Sequence, residues 1–532
     1  MRQLRAWLTA LVVGALCVTG VAVPATAVGP DRLPITIANS SGRGEQVFVH
    51  VLGTNLATGR LGWVDGGGTF HAWPAGSLPP SPAPDSAIAG PGNGGSVTVQ
   101  IPRGFSGRIY FSFGQKVPFS LTPDGLVQPA PWAAGDPTRD ILFDWSELTY
   151  NDDGLWLNSS QVDMFAVPHS VSVTGASGAT RTTGTLVANG RQQVIDAMRA
   201  SPDWARTVVT RGDGTVLRVL SPGKAASAGL LSAGYLDGYI ASAWNAYTTR
   251  TLTVQPFGDR PEIRYTGRTS GTTMRFTDTS GREVAAFERP SSADVWGCDG
   301  RLHAPNDQVV GPIARTLCAA LFRGTLGTSS VEPVLDASQF YRSSPPNVYG
   351  RVIHAAMTDG RAYAFAFDDV GAFESLVHDG DPRSARVDLT PFTGGGGGGG
   401  GATGTGAVRS GVSGKCLDVS GGNSANGTAV QLWDCNGTAA QRWTFGNDGT
   451  LRALGKCLDV AEWGTANGSK LHIWDCNPGQ SNQTWVRQGS SYRNPASGRC
   501  LDNPSNQAVN GNRIQLWDCF GNSAQWWSVP GA

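Results

Sequence analysis

The chain has 532 residues with 41 Lys plus Arg against 41 Asp plus Glu, so a single small core is excluded and two or three packed units are expected. With no net positive charge there is no field to neutralise a phosphate backbone, which excludes a nucleic-acid partner. Gly at 72 residues is well above the usual fraction and charged residues at 15% fall well below it, a composition of turn-rich β-structure held by something other than surface ion pairs.

At the start of the chain, Arg2 and Arg5 precede an apolar run from Ala6 to Val23 and then Ala25-Thr26-Ala27. This pattern predicts a secretory signal over residues 1–27. The alternative, a membrane anchor, fits less well, because the run is barely long enough and contains Thr9, Gly14, Thr19 and Gly20. Cleavage removes Cys17 and leaves Cys298, Cys318, Cys416, Cys435, Cys457, Cys476, Cys500 and Cys519. An even count in an exported chain reads as four disulfides. No second segment approaches twenty apolar residues, so a secreted, extracellular protein without a membrane partner is expected.

Apolar alternation from Leu33 to Val51, interrupted by a Ser/Gly turn, predicts a β-hairpin. Short strands are expected at Ser96 to Ile101, Gly107 to Phe113 and Val171 to Val173. Arg191 to Ala205 and Gln308 to Phe322 read as helices, the first with a potential break at Ser201-Pro202.

Between these lies the most informative window. In Phe143 to Asn151, alternation places Phe143, Trp145, Glu147, Thr149 and Asn151 on one strand face, the aromatic, carboxylate, hydroxyl and amide mixture of a sugar groove. A turn at Asp152-Asp153-Gly154 and a second strand from Ser160 to Val167 would carry Gln161, Asp163 and Phe165. A hairpin centred on residue 155 sets Glu147 opposite Asp163 on strands about 4.8 Å apart, within reach of the spacing two glycosidase carboxylates need. A charged solvent face is the plain alternative for two such acids. Trp145 could supply the apolar surroundings that keep a Glu147 carboxylic acid protonated. Asp368 and Asp369 are further candidate groove acids, or a simple loop pair.

Other chemistries have little support. The seven histidines form no HExxH, no paired CxxC suggests zinc, and no glycine cluster forms a phosphate loop or dinucleotide fingerprint. No metal or cofactor is expected. Cys298 and Cys318 read as a loop disulfide.

Gly394 to Gly401 is eight consecutive glycines, a flexible linker that no packed core can use. Expected boundaries are a signal at 1–27, a catalytic domain at 28–393, a linker at 394–406 and a third region at 407–532. That region repeats three times. Cys416-Leu417-Asp418, Cys457-Leu458-Asp459 and Cys500-Leu501-Asp502 open the units, and Asn426-Gly427, Asn467-Gly468 and Asn510-Gly511 follow as hairpin signals. Trp433-Asp434-Cys435, Trp474-Asp475-Cys476 and Trp517-Asp518-Cys519 come next, and Gln441-Arg442-Trp443, Gln483-Thr484-Trp485 and Gln525-Trp526-Trp527 close the units. Three internally cross-linked copies, each too small for its own core, predict a threefold all-β barrel.

This triple pattern resembles the ricin-B-type β-trefoil lectins, carbohydrate-binding module family 13. The resemblance implies sugar contacts from Asp418, Gln431, Trp433 and Gln441 in the first unit, and from Asp459, His472, Trp474, Asn482 and Gln483 in the second. In the third it implies Asp502, Gln515, Trp517 and Gln525. Ala440 and Ala524 stand where the second unit has Asn482, so the second set is the fullest. The closing tryptophans are the ones expected to fill the shared core. The WDC rings could be core or platform. Eight of 17 tryptophans lie in this last quarter, more than core filling needs, which favours stacking on sugar.

The strings DWSELTYN, SSQVDMFAVP and AFAFDDVGAFESLVHDGDP resemble glycoside hydrolase family 64, the laminaripentaose-producing β-1,3-glucanases. That resemblance implies a mainly β fold, a thaumatin-like β-barrel with a mixed α/β subdomain around a wide groove. It also implies an endo-acting, inverting cut with Glu147 as general acid and Asp163 as general base, and sugar contacts from Thr149, Asn151 and Trp156. The expected protein is a secreted, monomeric endo-β-1,3-glucanase that binds β-1,3-glucan polysaccharide and is attached to it by a trefoil module. The rival readings are a non-catalytic thaumatin-like wall-binding or antifungal protein, and an enzyme acting on xylan or galactan.

Overall fold

The structure is a computed structural model that describes residues 29–392 and most of 405–528, the exceptions there being 413, 446–448, 478–479, 489–490 and 521. The expected signal segment and the glycine run lie outside the described residues. The chain forms two compact units that divide between Phe392 and Thr393, each with its own apolar core.

Two large sheets, a small three-stranded sheet of Gly125–Val127, Ser120–Thr122 and Ser81–Pro82, and a mixed region build the first unit. A five-stranded sheet runs in the order Thr180–Thr183, His169–Gly175, Pro382–Leu389, Arg32–Asn39, Ser96–Pro102. An eight-stranded sheet has the path Leu376–Asp379, Gly154–Ser159, Leu142–Asn151, Phe105–Phe113, Val47–Asn55, Arg60–Val64, Phe70–Ala72, with Ile88–Ala89 added beside Val47–Asn55. Period-two patterning buries Ile35, Ile37, Val99 and Val387 from the first sheet, and Val49, Val51, Ile109 and Leu148 from the second, in one core.

The expected hairpin from Leu33 to Val51 does not form. Arg32–Asn39 pairs antiparallel with Ser96–Pro102 and parallel with Pro382–Leu389, while Val47–Asn55 belongs to the other sheet. Alternation identified both strands correctly, but the Ser/Gly segment between them crosses from sheet to sheet instead of reversing within one.

Between Met164 and Leu376 the chain builds the mixed region, with a three-stranded sheet, a five-stranded sheet and six α-helices. The helix Gly190–Ala200 stops before Pro202, as the restriction on residues preceding proline requires. Val310–Arg323 is buried nearly all round and ends on Gly324 at φ 75°, the left-handed cap glycine adopts freely. Cys318 in this helix is bonded to Cys298 at the end of Ser292–Gly297.

The second unit is a threefold arrangement of hairpins: Lys415–Val419 with Thr428–Asp434, Lys456–Val460 with Leu471–Trp474, and Arg499–Asp502 with Gln515–Trp517. Each hairpin is closed by its own disulfide, Cys416–Cys435, Cys457–Cys476 and Cys500–Cys519. Trp443, Trp485 and Trp527 fill the shared core, and their indole N–H groups donate to the carbonyls of Leu417, Leu458 and Leu501 at 2.8, 3.1 and 3.0 Å. The asparagine of each Asn-Gly pair reaches the next repeat, Asn426 to Asp475, Asn467 to Asp518 and Asn510 to Asp434 at 2.6–2.7 Å, so the three repeats clasp one another in a closed ring.

Candidate active site

Glu147 lies near the middle of Leu142–Asn151, on the face of the eight-stranded sheet opposite the core. Its direct cross-strand neighbours are Asn158 on one side and Arg108 on the other. The same row continues through Leu52 to Trp63 and His71, and in the other direction to Leu376. The adjacent row holds Thr54, Ser106, Thr149, Trp156 and His378. This face therefore carries a strip of hydroxyls, one carboxylate, one guanidinium and flat aromatic rings, which suits a neutral polyhydroxylated chain.

The expected pairing of Glu147 with Asp163 is not present. The turn is a two-residue one, Asp152-Asp153, flanked by the pair Asn151 and Gly154, so the partner strand is Gly154–Ser159 and Glu147 faces Asn158. Asn151 Oδ1 accepts the Asp153 N–H at 2.9 Å and fixes that turn. Ser160 leaves the hairpin to bridge Tyr363, and Met164–Phe165 pairs instead with Val219 and Leu220. Asp163 thus sits where the chain passes from sheet to helical region. Its carbonyl accepts the Ser221 N–H at 3.1 Å, just before the helix Pro222–Ser227, and its Oδ1 lies 3.2 Å from Nζ of Lys224 on that helix.

Asp144 holds the two segments together. From the core-facing side of the Glu147 strand, its Oδ2 accepts the N–H groups of Ala166 and Val167 at 2.8 and 3.0 Å. Burial pushes the Asp144 carboxyl up to about 7. Gln161 is latched as well: its backbone N–H donates to the Tyr363 carbonyl at 2.8 Å, and the Tyr349 hydroxyl donates to the Gln161 backbone carbonyl at 2.6 Å.

Arg108 holds Glu147, whereas Asp163 is held by Lys224. Nε of Arg108 donates to Glu147 Oε1 at 3.0 Å, Nη2 lies 3.0 Å from the same oxygen, and the guanidinium covers the Trp145 ring at 4.7 Å. Burial works against the charge on Arg108, but Tyr110, Glu147 and Asp163 together raise its pKa above the ordinary value. Trp145 does not enclose Glu147 as expected, because the guanidinium covers its ring and the indole instead stacks in a cluster with Tyr110 and Phe143. Arg108 was not identified from sequence: its strand was, but its partner is 39 residues away, and only the sheet register brings them together.

The other expected groove residues divide by role. Trp156 is half-buried and stacks on His378 with centroids 4.3 Å apart. Thr149 is buried, its hydroxyl 2.8 Å from that of Ser106. Asn151 serves the turn. Asp368 is fully buried between Arg323 and His354, at 2.9 and 3.0 Å, and anchors its loop instead of facing the groove. Among the described residues, the buried Trp145 Nε1, Asn158 Oδ1, Ser160 Oγ and Glu374 Oε2 make no hydrogen bond within the protein. Trp145 by alternation and Asn158 by cross-strand register share Glu147's face. No three His, Cys, Asp or Glu side chains among the described residues are arranged to hold a metal ion.

In the trefoil unit each opening aspartate is the hub of its repeat. Asp418 accepts from Gln431 and Gln441, both at 3.0 Å. Asp502 accepts from Gln515 at 3.0 Å and Gln525 at 3.2 Å. Asp459 gathers three partners, His472 at 3.0 Å and Asn482 and Gln483 at 2.8 Å each. Gln441, Gln483 and Gln525 are buried behind the carboxylates, so they orient them. The WDC rings of Trp433 and Trp474 are exposed and that of Trp517 is half-buried, so they lie at the surface and not in the core.

Residues 31–389 match the family model for β-1,3-glucanase, glycoside hydrolase family 64, and residues 404–527 match that for the ricin-type β-trefoil lectin domain. Glucan endo-1,3-β-glucosidases of an Arthrobacter species and of Cellulosimicrobium cellulans are each 47% identical to the chain over 469 residues, 85% of this chain and 84% of theirs. Among solved structures, a laminaripentaose-producing β-1,3-glucanase in complex with laminaritetraose is similar with a TM-score of 0.66 and 54% identity, covering 68% of this chain and 99% of that one. A β-1,3-glucanase domain from Clostridium beijerinckii shares the fold with a TM-score of 0.57 at 24% identity, over 68% and 99% of the two chains.

Proposed function

The chain belongs to the β-1,3-glucanases of glycoside hydrolase family 64 and carries a ricin-type lectin domain, and from that premise we propose that Glu147 and Asp163 cut β-1,3-glucan by inversion. The protein is a glucan endo-1,3-β-glucosidase. The observation that carries the assignment of roles is that each carboxylate has its own cationic partner, Glu147 on Arg108 and Asp163 on Lys224, with Glu147 on a sheet face lined with hydroxyls and stacked aromatics.

In the proposed cycle Asp163, whose Oδ1 lies 3.2 Å from Lys224 Nζ, takes a proton from a water that attacks the anomeric carbon from one face of the sugar. Glu147 gives its proton to the glycosidic oxygen on the other face, and the bond to the leaving sugar breaks. Arg108 grips only Oε1 of Glu147, which leaves Oε2 for the proton in flight. As that proton leaves, negative charge develops on Glu147 beside a guanidinium already in place, an interaction stronger in the transition state than before it. Trp156 on His378 forms a flat platform one strand away. Thr149, Ser106 and Asn158 supply hydroxyl and amide groups along the same face.

We place the enzyme outside the cell, where four disulfides are stable, acting as a monomer and releasing short laminari-oligosaccharides such as laminaripentaose. In this reading residues 28–393 are the catalytic domain, 394–406 a linker and 407–532 a module that attaches the enzyme to polysaccharide. Replacing Glu147 with Gln or Asp163 with Asn tests the assignment. Each removes one proton-transfer role at nearly constant shape and should lower turnover roughly 10²–10⁴-fold on linear β-1,3-glucan with the fold retained. A variant that keeps more than about a tenth of the parent rate removes its residue from the mechanism.

A further inference from the structure

Each trefoil repeat requires two consecutive residues in the left-handed region just after its opening aspartate strand. The first repeat fills them with Gly421 and Gly422 at φ 64° and 62°, and the third with Ser505 and Asn506 at φ 55° and 53°. The second uses Glu462 and Trp463 at φ 56° and 55°. Glycine adopts this conformation freely and asparagine tolerates it, whereas a bulky L side chain is strained there. Trp463 is also 58% exposed, so packing does not offset the strain. A strained, solvent-facing indole of this kind points to function.

The sister repeats show what this position faces. A Cβ built on Gly422 would lie 3.9 Å from Cβ of Ala440, and Asn506 Nδ2 donates to Oγ of Ser523, the residue before Ala524, at 2.9 Å. Ala440 and Ala524 are the counterparts of Asn482. The threefold repeat therefore sets Trp463 against Asn482, whose amide donates to Asp459 while its own buried Oδ1 has no hydrogen-bond partner among the described residues. Trp474, 41% exposed and stacked with His472 at 5.3 Å, lies on the hairpin strand that also carries His472, the partner of Asp459.

We propose that Trp463, which stands outside the repeated motif, is a second aromatic wall of the second repeat's pocket, and that this pocket grips a β-1,3-linked glucan chain between two indoles where its sister sites offer one. The proposal rests on the trefoil being the polysaccharide-attachment module. Two exposed planar faces beside the Asp459–Asn482 hub suit a chain whose pyranose faces are apolar and whose hydroxyls both donate and accept.

The test uses the full chain in a Glu147→Gln background, with insoluble linear β-1,3-glucan (curdlan) as probe. Trp463→Gly and Trp463→Asn install the residues of the first and third repeats. Each should raise the melting temperature of the trefoil, by roughly 2–4 °C for the glycine variant, while weakening retention on curdlan about tenfold. Trp474→Ala is the control. If Trp474→Ala weakens retention and the Trp463 variants do not, the second wall is refuted and the attachment role stands. If none weakens it, the attachment role itself fails and the proposal with it. A lower melting temperature in both Trp463 variants would make the indole a structural element and overturn the proposal.

Discussion

Arg108 reaches Glu147 with two nitrogens, Nε and Nη2, each 3.0 Å from the single oxygen Oε1. The grip is geometric as well as electrostatic, because the guanidinium is also seated on the Trp145 ring and Arg108 Nη1 lies 3.5 Å from the Tyr110 hydroxyl. Glu147 is therefore held in one rotamer while its second oxygen stays outside the fork.

Arg108→Lys should keep the charge and lose this positioning, since an ammonium is a point donor without a planar fork. Turnover should fall roughly 10²-fold, the scale of an ångström-sized misplacement of a catalytic group. Steady-state kinetics on linear β-1,3-glucan check this, and a parent-like kcat would mean the fork does not position Glu147.

The strand carrying Glu147 was legible because its alternation is local: Phe143, Trp145, Glu147, Thr149 and Asn151 need only a period of two. The placement of Asp163 was not, because register depends on turn length. A two-residue turn at Asp152-Asp153 moves the hairpin centre and leaves Asp163 beyond the strand's end. What then fixes Asp163 is Lys224 and the pairing of Met164 and Phe165 with residues 219–220, contacts across about sixty residues that no local pattern encodes. The trefoil was the most readable part, since a motif repeated three times states its own disulfides and core. Even there, the strained Trp463 was invisible until backbone angles could be compared between repeats.

Trp156→Ala should raise KM on soluble β-1,3-oligosaccharides, with a loss of roughly 1–3 kcal/mol of sugar stacking. His378→Ala should produce a smaller effect in the same direction, because that ring supports Trp156 at 4.3 Å and lies one strand further from Glu147. Equal and negligible effects would remove this platform from the substrate path.

Acid should destabilise the first unit through buried histidines. Burial lowers the His169 pKa from 6.5 to about 4, and the ring is wedged between the Val167 carbonyl and the Ser159 hydroxyl at 2.8 and 3.2 Å. The unfolded chain then binds a proton near pH 6.5 that the folded chain refuses until about pH 4, so stability is full above 6.5 and declines as pH falls through that window. One such group accounts for an amount on the order of 2–3 kcal/mol. His50, also lowered to about 4 by burial, adds to it. His169→Gln should flatten the fall in melting temperature between pH 6.5 and 4, and an unchanged slope would show that His169 is not responsible.

Shortening the chain to end at residue 392 should leave rates on soluble oligosaccharides about unchanged and reduce those on insoluble glucan, because each unit has its own core and the trefoil acts by raising the local enzyme concentration at the polysaccharide. Within the trefoil, Trp474→Ala should weaken polysaccharide pull-down more than Trp433→Ala or Trp517→Ala. Only the second repeat adds an amide, Asn482, at the position of Ala440 and Ala524.

The central claim, that Glu147 and Asp163 act as acid and base across the scissile bond, is tested most directly by proton NMR of the first-formed product anomer from a linear β-1,3-oligosaccharide. With Glu147 as general acid and Asp163 as general base activating water on the opposite sugar face, the α-anomer should appear first and then mutarotate. A β-anomer at the earliest time points would mean a covalent, retaining mechanism and would contradict the assigned roles.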